Sequence, residues 1–191
     1  MNIPNSITFF RLILALITFK LIISTNLIFF SFLLTIIVIF SDYFDGFFAR
    51  KLKQSSQIGA WLDIAADRII EIGYWIVLAY KYEEIVSIWI AIIFLIRGIF
   101  VDGIRSFAQN QGYTAFGDTT MMKSPIGRLL VSSNISRFSY AAIKLLAFCS
   151  VILSPISSVI GSLAILLVIL TTLFCIIRAV PVIIEGYRFF K

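Results

Sequence analysis

Residues 27–49 read Leu27-Ile28-Phe29-Phe30-Ser31-Phe32-Leu33-Leu34-Thr35-Ile36-Ile37-Val38-Ile39-Phe40-Ser41-Asp42-Tyr43-Phe44-Asp45-Gly46-Phe47-Phe48-Ala49. Up to Phe40 the run holds only apolar residues and two hydroxyls. About 20 such residues span a hydrocarbon core as an α-helix, the form that satisfies every backbone polar group internally. The last third then carries two carboxylates, Asp42 and Asp45. A carboxylate at or near a bilayer is costly, so an ionisable cluster there marks a functional site by default. Past Arg50 the pattern repeats itself in Gly59-Ala60-Trp61-Leu62-Asp63-Ile64-Ala65-Ala66-Asp67. Four of the ten acidic residues of the chain are thus gathered in this one region.

The remainder of the chain supports the same reading. It has 191 residues, 60% of them hydrophobic, and a mean hydropathy of +1.02. A soluble domain of that size could not hide so much apolar surface. Six spans are expected, over 7–23, 27–49, 60–80, 84–107, 138–153 and 156–180, in one domain covering 1–191. Residues 2–11 are expected to form a short interfacial helix ahead of the first span, with Pro4 suited to its first turn. The breaks at 24–26, 81–84 and 154–155 suit tight turns between antiparallel helices. The connections over 50–57 and 108–137 are longer and polar. The start of the chain lacks the basic n-region and small-residue cleavage site of a signal peptide.

Arg50, Lys51 and Lys53, then Lys123, Arg128 and Arg137, then Arg188 and Lys191 all fall on one side of such a plan. The positive-inside rule makes that side the cytoplasm, with both termini there. A net charge of +6 then speaks to topology and to anionic lipids rather than to nucleic acid, for which the chain has no motif. No histidine is present, which excludes histidine-based zinc, triad and proton-relay chemistry. Cys149 and Cys175 lie in apolar runs and read as small buried hydrophobes, neither disulfide nor metal ligand.

Both halves of the aspartate cluster meet at the cytoplasmic boundary. At ~100° per residue, Asp42 and Ala49 fall within ~20° of each other and Asp45 within ~60° of Asp42. Gly59, Asp63 and Asp67 step by ~40° each. Each helix therefore shows a face with two carboxylates and a small residue. Four close carboxylates repel one another unless a cation joins them. Oxygen-only donors suit Mg²⁺ or Mn²⁺, and four carboxylates suit two such ions, the arrangement that stabilises phosphoryl displacement. The same residues could form the transit site of a divalent-cation transporter, or pair structurally with Arg50 and Arg68. Gly46, Ala49 and Gly59 leave room for a planar group or a phosphate, or for close helix packing.

The pattern Asp-x2-Asp-Gly-x2-Ala-Arg-x8-Gly-x3-Asp-x3-Asp runs complete from Asp42 through Asp67. It resembles the signature of the CDP-alcohol phosphotransferases. The lead-in Pro4-Asn5-Ser6-Ile7-Thr8-Phe9-Phe10-Arg11 is similar to the one found in bacterial members. The resemblance implies an all-α membrane enzyme that transfers a phosphatidyl group from CDP-diacylglycerol to a small polar alcohol and releases CMP. By position it implies Asp42, Asp45, Asp63 and Asp67 as metal ligands, with Asp67 also the general base. It further implies Asn5, Thr8, Gly46, Ala49, Arg50 and Gly59 around the cytidine diphosphate. It places the protein in the bacterial cytoplasmic membrane as a homodimer, for which Trp75 and Trp89 suit either an interface or anchoring at the membrane surface.

The acceptor is read from the cations. Arg97 and Arg105 lie ~80° apart on one helix, followed by Lys123, Arg128, Arg137 and Lys144. An arginine inside an apolar run needs an anionic partner, and a phosphate on the acceptor would supply one. The alternative is that Arg97 pairs with Asp102 or a motif aspartate while the loop cations mark the cytoplasmic side. Residues 96–105 resemble a stretch of the phosphatidylglycerophosphate synthases in that family, with Gly98 where many of those carry glutamate. Glycerol 3-phosphate is the expected acceptor, with inositol phosphate or serine as alternatives.

Overall fold

A computed structural model describes residues 3–24, 26–51, 57–114 and 119–190, with the backbone alone for 3, 4, 42–51, 57, 58 and 60. The chain is all-α: α1 (Ile3–Ser24), α2 (Ile28–Lys51), α3 (Gln57–Lys81), α4 (Ile88–Asn110), α5 (Pro125–Gly127), α6 (Asn134–Leu153) and α7 (Ser158–Gly186). A π-helical turn, Arg128–Ser132, joins α5 to α6, and 3-10 turns cover Ser154–Ile156 and Tyr187–Phe190. The only β pairing among the described residues is an isolated bridge between Thr114 and Thr120. Each of the six expected apolar segments falls on one of the six long helices. Among the described residues, three stretches are long and apolar enough to cross a membrane: Asn5–Ser24, Asn134–Ile156 and Ser158–Phe190. Ile28–Ser41 is a shorter apolar stretch.

The helix ends differ from the expected ones for local reasons. α1 runs unbroken through Arg11. α4 begins at Ile88 rather than 84, because a turn in which the Ile85 and Val86 amides donate to the Tyr82 carbonyl comes first. α7 continues past Pro181 to Gly186. Proline removes one helical hydrogen bond but is tolerated in apolar helices whose neighbours satisfy the freed group.

Two compact units are distinguished. The first comprises residues 1–91 and 148–165. Here α1 packs against both α2 and α3. The inward stripe of α1 is Thr8, Arg11, Ala15, Thr18 and Ile22, all buried and three or four residues apart, with buried Phe19 beside Thr18, which is the spacing of one helix face. On α2 the buried positions Ser31, Thr35 and Val38 do the same. Thr18 and Thr35 return their hydroxyls to the carbonyls of Leu14 and Ser31, each at 2.8 Å, so these two buried hydroxyls are satisfied within their own helices. Gly73 is required by close approach: a Cβ there would lie 2.5 Å from the Phe19 ring. Tyr74 stacks on Phe148 at 4.8 Å, and Trp75 meets the same ring edge-on at 4.8 Å. Trp75 is fully buried and so serves this core, whereas Trp89 is exposed.

The second unit comprises residues 92–147 and 166–191. Its core holds Val101, Ile104 and Ala108 of α4, Met121, Met122 and Val131 of the connection, and Ala179, Val182 and Phe189 from the C-terminal end. In both units the outward residues include many large apolar side chains, among them Leu16, Phe29, Ile99, Leu166 and Ile184, while Thr35, Arg97, Thr171 and Arg178 are buried. Apolar residues outside with polar ones inside is the pattern of a protein dissolved in lipid, and the chain is an integral membrane protein.

Candidate active site

The N-terminal half of α3 presents Asp63 and Asp67 one turn apart, each side chain about half exposed at 47% and 50%. Ala66 and Ile70 of α3 are buried, so the helix is anchored beside the two carboxylates. Arg11 reaches them from α1. Its guanidinium Nη2 donates to Asp67 Oδ1 at 2.5 Å and lies 4.0 Å from Asp63 Oδ1. Arg11 is itself 1% exposed, against a site that solvent reaches. A buried guanidinium beside half-exposed carboxylates orients them and offsets their charge. Thr8, one turn before Arg11, is buried on the same face of α1.

Arg11 is the residue of this site that the spacing argument did not single out, although the lead-in motif ends on it. Arg68, one of the two cations offered as alternative structural partners of the aspartates, pairs with Glu71 at 2.6 Å. Gly59 is partly buried near the start of α3, and Asn5 is partly exposed near the start of α1. Asp42, Asp45, Gly46, Ala49 and Arg50 belong to the last turns of α2, and their side chains lie outside the described residues. Among the described residues no group of three or more acidic, cysteine or histidine side chains stands together. The pair on α3 offers oxygen donors only, on an accessible face, which fits a hard divalent cation.

In the second unit a different chemistry gathers around Tyr140, which is buried on α6. Three cations share its ring: Arg97 of α4 at 5.8 Å, Lys144 of α6 at 5.3 Å and Arg178 of α7 at 5.1 Å from the centroid. Arg97 and Arg178 are both buried. Arg178 also donates to the Ser136 carbonyl at 2.8 Å, which ties α7 to the start of α6. An aromatic face stabilises cations, but buried cations converging on one ring also repel, and an anion would relieve that. Arg178 and Tyr140 are additions to the expected set; the arginine could have been found by the argument that found Arg97, since both interrupt apolar helices.

The other expected cations are placed differently. Arg105, not Arg97, faces Asp102, at 4.0 Å. Arg128 is exposed, and its Nε donates to the Met122 carbonyl at 3.2 Å. Lys123 and Arg137 are exposed on the connection and at the start of α6.

Comparison with known proteins gives a match between residues 1–185 and the family described as CDP-alcohol phosphatidyltransferase. The chain is 35% identical over 153 residues to a CDP-diacylglycerol–glycerol-3-phosphate 3-phosphatidyltransferase of Wigglesworthia glossinidia brevipalpis, covering 75% of this chain and 81% of that one. It is 34% identical over 117 residues to the protein of the same name in Haemophilus influenzae, covering 58% and 61%. A third such protein, from Aquifex aeolicus, is 39% identical over 69 residues, covering 36% and 38%.

Proposed function

The chain belongs to the CDP-alcohol phosphatidyltransferase family, and from that premise we propose that it transfers the phosphatidyl group of CDP-diacylglycerol to glycerol 3-phosphate. The observation that carries this reading is the Asp63–Asp67 pair, accessible on one face of α3 and ordered by buried Arg11. Asp67 takes the proton of the acceptor's free hydroxyl. The resulting oxygen attacks the lipid-bearing phosphorus, the bond from that phosphorus to the CMP oxygen breaks, and CMP leaves. Asp42, Asp45, Asp63 and Asp67 would hold Mg²⁺ or Mn²⁺, two ions in all, and these would neutralise charge on the diphosphate. Gly46, Ala49, Arg50 and Gly59, with Asn5 and Thr8, line the place of the cytidine diphosphate. The small side chains admit its phosphates to the helix backbone, and Arg50 balances their charge.

The acceptor's phosphate is the anion that buried Arg97 and Arg178 call for, with Lys144, Arg105, Lys123, Arg128 and Arg137 adding positive charge. The relatives' name, which specifies glycerol 3-phosphate, supports that acceptor over serine, which lacks a phosphate. We place the whole chain as one domain of six spans in the bacterial cytoplasmic membrane, with both termini cytoplasmic, the first turns of α1 at the interface, and two copies forming a dimer.

The test is CMP release by the purified protein from CDP-diacylglycerol, with Mg²⁺ or Mn²⁺, across glycerol 3-phosphate, inositol phosphate, serine and choline. Release is expected with glycerol 3-phosphate first. Release with none of the four would remove the reading, and preference for serine would remove the phosphate assignment.

A further inference from the structure

The described parts of the connection after α4, residues 111–114 and 119–128, are held at their polar rim by the C-terminal end of α7 and the residues after it. Glu185, near the C-terminus of α7, turns its carboxylate onto it. Oε2 accepts the Lys123 amide at 2.5 Å and the Ser124 amide at 3.3 Å, while the Ser124 hydroxyl donates to Oε1 at 2.5 Å. The residues that follow add further ties. Arg188 donates to the Met121 carbonyl, and Gln111 Nε2 donates to the Phe189 carbonyl at 3.3 Å. The Tyr113 ring lies 5.2 Å from that of Phe189, with the Arg188 guanidinium over both.

Two kinds of interaction are thus separable here. Met121, Met122 and Phe189 are buried together in the core, and that burial holds the segment by area. Lys123 and Arg128 lie outside it, exposed, and their backbone depends on directed hydrogen bonds. Ser124 joins the two systems, since its hydroxyl also accepts the Gly127 amide at 2.9 Å. Gly127 has no room for a side chain: a Cβ would meet Glu185 Oε1, with Ser124 Oγ at 2.9 Å and Met122 Sδ at 3.2 Å. The carboxylate could yield only by giving up its own bonds.

We propose that Glu185 is a positioning residue for acceptor selection, fixing Met121–Arg128 and thereby the presentation of Lys123 and Arg128. The proposal rests on the acceptor reading above. Its signature is a split between substrates: loss of the carboxylate should weaken the hold on the small anion and leave the lipid nucleotide alone.

The experiment compares the full-length wild type, Glu185→Gln, Glu185→Ala and Gly127→Ala in detergent micelles, by steady-state kinetics and by amide hydrogen exchange. Deleting a charged hydrogen-bond partner should raise the KM for glycerol 3-phosphate by about tenfold in Glu185→Ala. Glu185→Gln, which keeps an acceptor oxygen, should do less, and Gly127→Ala should resemble Glu185→Ala. The KM for CDP-diacylglycerol and kcat should stay within about twofold. Exchange should quicken over 121–128 and not in α1–α3. An unchanged acceptor KM, unchanged exchange, or a parallel loss of kcat and both Michaelis constants would overturn the proposal while the function reading stands. A wild type that releases no CMP with glycerol 3-phosphate or inositol phosphate would overturn both.

Discussion

The carboxylate face of α3 and the cationic surround of Tyr140 are built in opposite ways. The first draws on neighbours in the chain: Asp63 and Asp67 sit one turn apart, and the rest of the motif lies on the helix before. The second is assembled from distant positions on three helices, Arg97, Tyr140, Lys144 and Arg178. Chemistry confined to consecutive helices leaves a fixed spacing that can be read directly. Chemistry drawn from separate helices leaves isolated charges, each with a bland explanation, until the fold brings them to one ring. The two regions should also fail differently, the first in turnover and the second in acceptor affinity.

The largest effect is expected at the carboxylates. Asp67→Asn removes the proton acceptor and should lower kcat by about 10³-fold, with the acceptor KM little changed; CMP release under saturating substrates checks it. A near-normal kcat would erase the distinction between the regions. Next comes Arg178→Ala, which should raise the acceptor KM by about 10- to 100-fold through loss of a charged hydrogen-bond donor. Arg178→Lys should recover part of that loss, and the KM for CDP-diacylglycerol should not move. If kcat fell instead, the Tyr140 surround would belong with the turnover machinery.

Arg11→Ala should lower kcat by about tenfold, less than loss of the base, because Asp67 keeps its oxygens and loses only its orientation. The ion pair adds little, since solvent screens the half-exposed carboxylates, but removing a side chain that is 1% exposed leaves a cavity, so the stability cost should be about 2–4 kcal/mol; thermal unfolding in detergent would read it. Smallest of all is Tyr140→Phe. It keeps the ring face that the three cations share, and the acceptor KM should change by less than about threefold. A larger change would show that the hydroxyl, rather than the ring, organises the cluster.

What the residues disclosed beforehand follows the same division. The six long helices were legible because lipid demands long apolar runs, and breaks such as 24–26 and 154–155 stand out against them. Helix ends were less legible. The last span is expected to end at 180, yet α7 passes through Pro181 to Gly186, because an apolar helix among neighbours tolerates the lost bond. The π-helical turn at Arg128–Ser132 left no signal in periodicity. Arg11 was visible only as the end of a motif, since nothing in spacing says that α1 returns to α3. Glu185 was an isolated acid near a basic terminus, and its three hydrogen bonds exist only once α7 and the connection meet.

The central claim is that an acceptor hydroxyl attacks the lipid-bearing phosphorus. The most direct measurement is oxygen tracing: glycerol 3-phosphate labelled with heavy oxygen at its free primary hydroxyl, incubated with CDP-diacylglycerol, and both products weighed by mass spectrometry. The account predicts the label wholly in the phosphatidyl lipid and none in CMP. Label in CMP, or unlabelled phosphatidic acid as the lipid product, would contradict it.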